Sequence, residues 1–352
     1  MESMITYPRS SRVRRWLSRT PERTLAVAAL GVLALGSVAC GASTSASPSG
    51  SHSAKGYTID FVPGTTTNPF YISMHAGAAS EAQKLGVNLV WQGGTEWSPS
   101  SQIPVVSSLF ADHPNALVIV PTDVTALKAP IEQYVNAHIP VVTADTTITD
   151  TSILSSRITC NNVEGGKMAA DALASLVNDQ GEVAVINNEP GVSTDDQRQD
   201  GFAQELQAKY PNMTIVATEY DNESVTTAEA QAAALVLAYP KLVGIFGIDV
   251  PSGEGLGQEI QSANLAGKVF GVSYDAVAAE VSFLKAGDLS ALVMQQPAAE
   301  GSLAVQYAYD LITGQKGSVK DNVVMSDVLA TTATASDPTI SQYFYVNSLN
   351  GS

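Results

Sequence analysis

Five apolar runs of this 352-residue chain end in a side chain that can accept hydrogen bonds. Buried parallel strands are near-continuous hydrophobic runs, so a polar residue at the carboxyl end of such a strand lies just outside the core. A single aspartate there usually caps a helix, and this is our interpretation of Asp123. Several together would line one edge of a sheet with acceptors. The residues concerned are Asp123, Asp145, Asp249, Asp275 and Gln295.

The stretch Tyr57–Gly86 brings other side chains to the same kind of position. It predicts a short strand, a turn rich in Gly, Thr and Asn, and an amphipathic helix. Asn68 is the expected N-cap, and Pro69 fits the first helical position because proline has no N–H to leave unpaired. Asn68, Phe70 and Tyr71 then lie beyond the end of a strand, where open parallel sheets bind small molecules.

Carboxylates, amides and aromatic rings around one cleft are the combination that sugars need. Hydroxyl groups donate to carboxylate and amide oxygens, and the C–H faces of a sugar ring pack on aromatic side chains. The alternative is a capped helix with its aromatic residues in the core, which is the better explanation of Phe70 and Tyr71 taken alone. Recurrence of the pattern at several strand ends is what favours a sugar site.

Arginine is rare after residue 39, where only Arg157 and Arg198 occur. Arg198 lies in a loop that leads into a predicted helix. Ten lysines serve elsewhere, so an arginine here indicates a planar contact with several donors. A surface ion pair with Asp195, Asp196 or Asp200 explains it equally well.

The first 39 residues are predicted to be a secretory signal rather than part of the fold. Six arginines and an apolar run of about 15 residues make up this leader, and the run is shorter than the ~20 residues that span a bilayer. It ends at Ser37-Val-Ala-Cys40-Gly, which resembles the lipobox of bacterial lipoproteins. We expect Cys40 to be lipidated and residues 40–56 to form a flexible tether. Cleavage after Ala39 without lipidation is the alternative.

Charge and cysteine content exclude several classes of protein. Removing residues 1–39, which hold six arginines and two glutamates, changes the net charge from −16 to −20. An acidic surface argues against nucleic-acid binding, which needs a basic footprint. Besides Cys40 the sequence contains only Cys160, so neither a disulfide framework nor a cysteine metal site is expected. We predict that Cys160 is a buried thiol.

Apolar, β-branched runs alternate with helical stretches from Tyr57 to about Val346, which predicts parallel sheets built from strand–helix–strand units. A length of about 290 residues is near the size at which one core divides into two. The predicted strands are Tyr57–Val62, Val87–Trp91, Ala116–Val120, Pro140–Ala144, Glu182–Asn187, Thr214–Thr218, Leu242–Gly247, Val269–Ser273 and Leu289–Met294.

Several motifs, in this order and spacing, resemble those of the type I periplasmic sugar-binding proteins, close in pattern to the ribose-binding branch. The likeness covers essentially all of Tyr57–Asp327. The matching segments are Thr67-Asn-Pro-Phe-Tyr71, Ala144-Asp145, Asn162-Val-Glu-Gly-Gly-Lys-Met168, Arg198-Gln-Asp-Gly-Phe202, Phe246–Asp249, Tyr274-Asp275 and Gln295-Gln-Pro297.

The resemblance implies an α/β fold of two doubly wound parallel-sheet lobes joined by a three-segment hinge. It places the crossovers near Thr159-Cys160, Gln295-Gln296 and Ser326-Asp327. The N-terminal lobe would hold residues 57–159 and 296–326, and the C-terminal lobe residues 160–295 and 327–347. A ligand between the lobes would bind the closed form better than the open one, and only such differential affinity shifts the equilibrium.

The family's ligand positions would fall on polar and aromatic residues at the strand ends. Ribose binders carry Arg directly after the aspartate of the fourth strand, where this chain has Thr146, and Asn where it has Asp249. Loss of a cation and gain of an anion argue for a neutral ligand other than ribose and against a sugar phosphate or sugar acid. The implied ligand-binding residues are Asn68, Phe70, Tyr71, Asp145, Thr146, Arg198, Tyr220, Asp249, Asp275 and Gln295.

The function implied is capture of a neutral sugar or polyol outside the cytoplasm and its delivery to the permease of an ABC transporter. The protein would be a monomeric lipoprotein on the outer face of the cell membrane. No catalytic residue, cofactor or metal is expected, because the sequence has no nucleophile elbow, P-loop, dinucleotide fingerprint in context or EF-hand loop. A sugar-responsive repressor would need a basic DNA-binding helix pair in place of the leader.

The loop Trp91–Gln102 resembles the rhamnose-binding and autoinducer-2-binding branch of the same family. An autoinducer-2-like diol receptor, or a sugar sensor that feeds a signalling partner, is therefore the alternative function. Within this loop Trp97 is a candidate stacking platform for a ligand, whereas core packing is the expected role of Trp91.

We expect Cys40→Ala to move the protein from the membrane fraction to the soluble fraction, because the acyl chains on one cysteine are the predicted anchor. Cell fractionation followed by immunoblotting measures the distribution, with Cys160→Ala as the control that keeps the lipobox intact. Persistence of the Cys40→Ala protein in the membrane fraction would count against lipidation.

Overall fold

The computed structural model describes residues 56–346, so the predicted leader, Cys40 and most of the tether lie outside the described residues. Within that range the strands, in chain order, are β1 Thr58–Val62, β2 Asn88–Trp91, β3 Ala116–Ile119, β4 Val141–Ala144, β5 Ser156–Cys160, β6 Gln180–Asn187, β7 Asn212–Tyr220, β8 Leu242–Gly247, β9 Phe270–Tyr274, β10 Leu289–Met294, β11 Asn322–Met325 and β12 Val328–Thr331.

The helices of the same range alternate with the strands. They are α1 Pro69–Leu85, α2 Pro99–Phe110, α3 Lys128–Asn136, α4 Asn162–Val177, α5 Ser193–Lys209, α6 Val225–Ala238, α7 Val250–Ser262, α8 Ala278–Ala286, α9 Pro297–Thr313 and α10 Pro338–Ser341. None of these helices combines the length and apolarity that a bilayer span requires.

The strands form two six-stranded sheets, each with helices packed on it. The first sheet has the order β11-β5-β4-β3-β1-β2 and all of its pairs are parallel. The second has the order β12-β10-β9-β8-β6-β7 and is parallel except for the antiparallel pair β10–β12. Helices α1, α2, α3 and α9 pack with the first sheet, and α4 to α8 with the second. The predicted fold of two doubly wound lobes is confirmed.

The chain passes between the lobes three times. It leaves the first sheet after β5 and enters α4, and it returns after β10 through Gln295-Gln296 into α9. It crosses again from β11 to β12 through Ser326-Asp327. These three connections form the hinge.

Burial on both faces explains why the strands read as continuous apolar runs. Every residue of β3 and of β4 is buried, because helices cover the sheet on each side. The second lobe has the same arrangement, with the last four residues of β8 and of β10 buried. Polar side chains are therefore pushed to the strand ends.

Helix α1 begins as its sequence predicts. The Asn68 Oδ1 atom accepts a hydrogen bond from the Phe70 backbone N–H at 2.9 Å, and Pro69 occupies the first turn. Gly86 ends the helix with a φ of 66°, which glycine adopts without steric cost. The cap fixes where Phe70 and Tyr71 leave the backbone.

Two secondary-structure predictions were wrong. The strands β5, β11 and β12 were not foreseen, because their short mixed sequences become strands only by pairing with distant partners. A helix was expected directly after Asp123, but α3 begins at Lys128. Asp123 Oδ1 instead accepts from the N–H groups of Thr125 (2.7 Å) and Ala126 (2.6 Å), so it stabilises a turn rather than a helix end.

Two glycines let the backbones of α1 and α9 pack in direct contact. A Cβ atom on Gly77 would lie 1.8 Å from the carbonyl oxygen of Ala298, and one on Gly301 would lie 2.2 Å from that of Met74. Because α1 carries the aromatic residues of the cleft and α9 leads out of the hinge, this close pair holds both in register.

Gly77→Ala should lower the free energy of unfolding by roughly 1–3 kcal/mol, because the added methyl group forces the two helices apart. Helix propensity alone would change stability by about 1 kcal/mol in the opposite direction, so a net loss identifies the packing contact. Urea unfolding measures the change. The matched control is Gly317→Ala, where no atom lies within 4 Å of the new Cβ. Equal stabilities of the two variants would contradict the packing argument.

Candidate functional site

The carboxyl ends of the strands of both lobes face one cavity, whose empty space is about 360 Å³ when its opening to solvent is included. From the first lobe it is lined by Asn68, Phe70, Tyr71, Trp97 and Asp145, and from the second by Asn188, Val192, Thr194, Asp195, Arg198, Glu223, Asp249, Val250, Asp275 and Gln295.

An aromatic cluster forms the first-lobe wall. The rings of Phe70 and Tyr71 meet edge to face with centroids 5.0 Å apart, and the ring of Trp97 stacks on Tyr71 at 6.1 Å and 17°. The Tyr71 hydroxyl donates to Asp145 Oδ2 at 2.8 Å. Apolar ring surface and a carboxylate thus lie side by side, as recognition of a sugar ring and its hydroxyls requires.

The two tryptophans of the Trp91–Gln102 loop have different environments. Trp91 packs on Phe61 (centroids 4.6 Å apart) and on His75 (4.2 Å), which is the core role expected for it. Trp97 lines the cavity, which is the position that a stacking platform requires.

Asp145 and Asp275 reach the cavity by the same backbone device, one in each lobe. Both have positive φ, 62° and 81°, directly after a buried strand. The Asp145 N–H donates to the Ile158 carbonyl at 2.8 Å, and the Asp275 N–H donates to the Val293 carbonyl at 2.7 Å. Each aspartate therefore still pairs with the neighbouring strand while its left-handed turn ends its own. Aspartate is among the few non-glycine residues that adopt this conformation readily.

The other acceptors of the second lobe are also held in place. Asp249 caps α7, accepting from the N–H of Ser252 at 3.1 Å and from the Ser252 hydroxyl. Asp275 Oδ1 accepts from Gln295 Nε2 at 2.7 Å and from the Tyr345 hydroxyl at 2.7 Å. Asp249 thus both caps α7 and lines the cavity.

Arg198 is almost completely buried, with 2% of its surface exposed. Its Nε donates to Asn162 Oδ1 at 2.9 Å, and its Nη1 donates to Asp195 Oδ1 at 3.2 Å and to the Ile248 carbonyl at 3.1 Å. The guanidinium carbon lies 3.9 Å from the centre of the Tyr274 ring. The pairing with Asp195 is therefore a buried ion pair beside the cavity and not the surface pair that the sequence left open.

Burial raises the pKa values of the cavity carboxyl groups. It raises the pKa of Asp145 to about 6, against the opposing effects of Arg198 and the Tyr71 hydroxyl. It raises the pKa of Asp249 to about 6 despite the two bonds from Ser252. Burial and the charge of Asp249 also raise the pKa of Glu223 well above its usual range. The charged forms are thus costly without further donors, which ligand hydroxyls would supply.

Direct contacts between the lobes identify this arrangement as closed. Asn68 Nδ2 of the first lobe donates to Glu223 Oε1 of the second at 3.3 Å. The backbone N–H of Thr147 in the first lobe donates to Ser193 Oγ of the second at 3.0 Å. Asn188 Nδ2 holds the other oxygen of Glu223 at 3.0 Å, so this carboxylate bridges the cleft.

Two residues that line the cavity each have a buried amide oxygen with no hydrogen-bond partner within the described residues. The two oxygens are Asn188 Oδ1 and Gln295 Oε1, and both side chains are 2% exposed. Buried polar atoms are rarely left unpaired, so these two amides are candidates for contact with a bound molecule.

Eight of the ten residues proposed from sequence line the cavity, and Thr146 and Tyr220 do not. The Thr146 hydroxyl donates to the Pro121 carbonyl at 2.7 Å. Tyr220 ends the edge strand β7, and the chain needs three more residues to reach the cavity. The residue that lies there is Glu223. Asn222 (φ 53°) and Glu223 (φ 60°) are two successive residues with a left-handed backbone.

Other lining residues were missed, with different amounts of signal in the sequence. Asn188 directly follows the apolar strand β6, as the other acceptors follow theirs. Asp195 lies one helical turn before Arg198, which is the spacing of an intrahelical pair. Glu223 lies in a loop without a periodic pattern. Among the described residues no cluster of His, Cys, Asp and Glu side chains has the geometry to hold a metal ion.

Comparisons with known proteins show what the chain as a whole is similar to. Residues 59–316 match the model of the family described as periplasmic binding protein domain. The chain is 29% identical over 272 residues to the ribose import binding protein RbsB of Bacillus subtilis, covering 77% of this chain and 87% of that protein.

Two solved structures are similar over the whole described fold. One is an ABC transporter solute-binding protein from Agrobacterium vitis bound with α-D-tagatopyranose, with TM-score 0.79, 35% identity and coverage of 82% of this chain and 99% of that one. The other is a carbohydrate transporter solute-binding protein from Agrobacterium radiobacter in complex with D-arabinose, with TM-score 0.79, 31% identity and coverage of 83% and 100%.

Arg198→Lys should lower the free energy of unfolding by roughly 3 kcal/mol, because a lysine keeps the charge but cannot make the fork of bonds to Asn162, Asp195 and the Ile248 carbonyl. Urea unfolding at neutral pH measures this. The control is Arg157→Lys, because the Arg157 side chain makes no hydrogen bond or ion pair within residues 56–346. A loss no larger than that of the control would contradict the role assigned to Arg198.

Proposed function

This chain belongs to the periplasmic binding protein family, and from that premise we propose that it captures a neutral sugar or polyol between its lobes and delivers it to an ABC permease. The molecule is bound and released without chemical change. The relatives named above are binding proteins, which supports a role in transport rather than catalysis.

The observation that carries the proposal is the chemistry of the cavity wall. Five carboxyl groups and the amide residues Asn188 and Gln295 surround a space bounded on one side by aromatic rings. A polyhydroxylated molecule supplies many O–H donors on a compact frame, and it also has C–H faces that pack on rings.

The same wall argues for a neutral ligand. Arg198 is the one cationic side chain among the lining residues, and three of its five N–H donors already serve Asp195, Asn162 and a backbone carbonyl. The carboxylate of a sugar acid or the phosphate of a sugar phosphate would meet Asp145, Asp249 and Asp275 with a single cation, Arg198, to offset their charge. Such like-charge contacts are strongly unfavourable in a buried site.

The ligands of similar proteins support monosaccharides. The named relatives are a ribose import protein and two proteins with bound tagatopyranose or arabinose. We therefore take aldoses, ketoses and polyols as the ligand class of this chain. The alternative of an autoinducer-2-like diol receptor or a sensor is not favoured, since none of these three relatives carries such a description.

Delivery to a permease follows from the two-lobed design. A ligand that touches both lobes stabilises the closed form, whose surface differs from that of the open form. The proposed lipid on Cys40 would keep the closed, loaded protein close to its permease at the outer face of the membrane. The acidic net charge of this chain and the absence of a predicted basic face are consistent with a small-molecule rather than a nucleic-acid partner.

A thermal-shift screen tests the proposed ligand class. The panel is D-tagatose, D-arabinose, D-ribose, D-allose, D-fucose and xylitol, with D-ribose 5-phosphate and D-galacturonate as anionic controls. A true ligand at about 100 times its Kd adds about 2.7 kcal/mol of stability. A shift with at least one neutral compound and none with the anions is expected. Stabilisation by the anionic compounds alone would reject the proposal.

Asp275→Ala should weaken binding of the best neutral compound by roughly 2–4 kcal/mol, because a hydroxyl group of that compound loses a buried acceptor. Titration calorimetry measures the affinity. Asp200→Ala, which removes an exposed aspartate outside the cavity, is the control. An unchanged affinity in Asp275→Ala would show that this carboxylate does not contact the ligand.

A further inference from the structure

The last described segment of the chain, Phe344–Val346, connects the two lobes beside the hinge. We call it the C-terminal strap. It follows α10, which packs on β12 of the second lobe, and it reaches α1 of the first lobe. The covalent hinge has three crossings, so the strap is an additional, non-covalent link.

Tyr345 fixes the strap to the second lobe by three hydrogen bonds. Its backbone N–H donates to the Ala276 carbonyl at 3.0 Å. Its hydroxyl donates to Asp275 Oδ1 at 2.7 Å and accepts from the backbone N–H of Gln295 at 3.2 Å. Since the tyrosine is only 7% exposed, water does not readily replace these bonds.

The strap is fixed to the first lobe at Ser73 and Phe70, both on α1. The Val346 N–H donates to Ser73 Oγ at 2.9 Å, and Ser73 Oγ donates to the Val346 carbonyl at 3.2 Å. The Tyr345 ring packs edge to face on Phe70, with centroids 5.7 Å apart at 69°. One side chain therefore contacts a cavity aromatic of one lobe and a cavity carboxylate of the other.

We propose that Tyr345 is a positioning residue, which holds Asp275 in its ligand-facing orientation and, through the C-terminal strap, couples that carboxylate to α1 of the opposite lobe. Tyr345 itself is not among the residues that line the cavity, so it acts through Asp275.

The geometry at Asp275 explains why it needs such support. Its backbone is left-handed (φ 81°), so the local chain does not impose the usual side-chain direction of a strand. Tyr345 and Gln295 both donate to Oδ1, and no hydrogen bond reaches Oδ2 within the described residues. Fixing one oxygen with two donors leaves the other free for a ligand hydroxyl in a defined direction.

A first test needs no ligand. In Tyr345→Phe the Gln295 amide loses its acceptor, and its hydrogen exchange measured by NMR should become at least tenfold faster. In Ser73→Ala the Val346 amide should respond in the same way. The matched control is Tyr343→Phe, because Tyr343 directly precedes the strap and its hydroxyl has no hydrogen bond within the described residues. Unchanged exchange at Gln295 in Tyr345→Phe would overturn the proposal.

A second test uses affinity for D-tagatose and D-arabinose, and this arm rests on the proposed function. Tyr345→Phe should weaken binding about tenfold, and Tyr343→Phe should not. In an Asp275→Ala background Tyr345→Phe should have little further effect, because the residue it positions is gone. A tenfold loss in both backgrounds would mean general destabilisation and would overturn the positioning role.

The pH profile of binding separates positioning from packing. Loss of the Tyr345 donor raises the pKa of Asp275 above its already raised value, so sugar affinity in Tyr345→Phe should begin to fall at a higher pH on acidification than in the unmodified protein. A profile identical to that of the unmodified protein would contradict this. The charged or titratable groups that face Asp275 are Arg198, Asp145, Asp249, Glu280, Asp327 and Tyr345.

The ligand-free test and the two binding tests fail in distinguishable ways. If neither sugar binds the unmodified protein, the proposed function fails for these probes, and the exchange at Gln295 and Val346 still decides whether the strap contacts hold. If the sugars bind and only the exchange or the double variant deviates from expectation, the positioning role alone is rejected.

Discussion

The buried guanidinium of Arg198 is the interaction on which the cleft depends. Its pKa is lowered by burial but raised more by the groups around it, led by Tyr274 and Asp195, so it remains charged. It is the cation that allows several carboxyl groups to share a small volume. Each of its bonds also ties a different element: α4 through Asn162, the end of β8 through the Ile248 carbonyl, and its own helix α5 through Asp195. The hydrogen-bonded guanidinium of Arg198 therefore both balances charge and positions elements in the second lobe.

Parallel strands explain why the acceptors meet. Strands of one sheet end at the same edge, and the hinge turns the two edges toward each other, so residues far apart in sequence line one cavity. Asp145 and Asp275 show that the two lobes use one solution: a left-handed aspartate that continues the ladder by its N–H and turns its carboxylate out of the sheet. The aromatic wall comes from a different device, the capped start of α1, which fixes Phe70 and Tyr71 beside Asp145.

The closed cleft is held by few direct bonds and contains costly groups. Asn68 with Glu223 and Thr147 with Ser193 join the lobes, while burial raises the pKa values of Asp145 and Asp249 to about 6. Hydroxyl donors from a ligand would stabilise the charged carboxylates and satisfy the amide oxygens of Asn188 and Gln295. This gain would exist only when both lobes surround the ligand, so a ligand would favour the closed form.

Local patterns in the sequence were sufficient for the parallel sheets, the start of α1 and the acceptors that follow the strands, whereas the two-lobed fold was implied by the family resemblance. Apolar runs, the Asn68-Pro69 cap and acceptors after strands depend on neighbouring residues, so they can be recognised without the structure. Features that depend on distant partners were decided only by tertiary structure. The strands β5, β11 and β12 exist through pairing, Arg198 has a buried rather than a surface partner, and Tyr345 meets Asp275 across 70 residues. The cavity position expected for Tyr220 is taken by Glu223 for the same reason. The path of an edge strand and its loop is set by what the loop packs against and not by its own sequence.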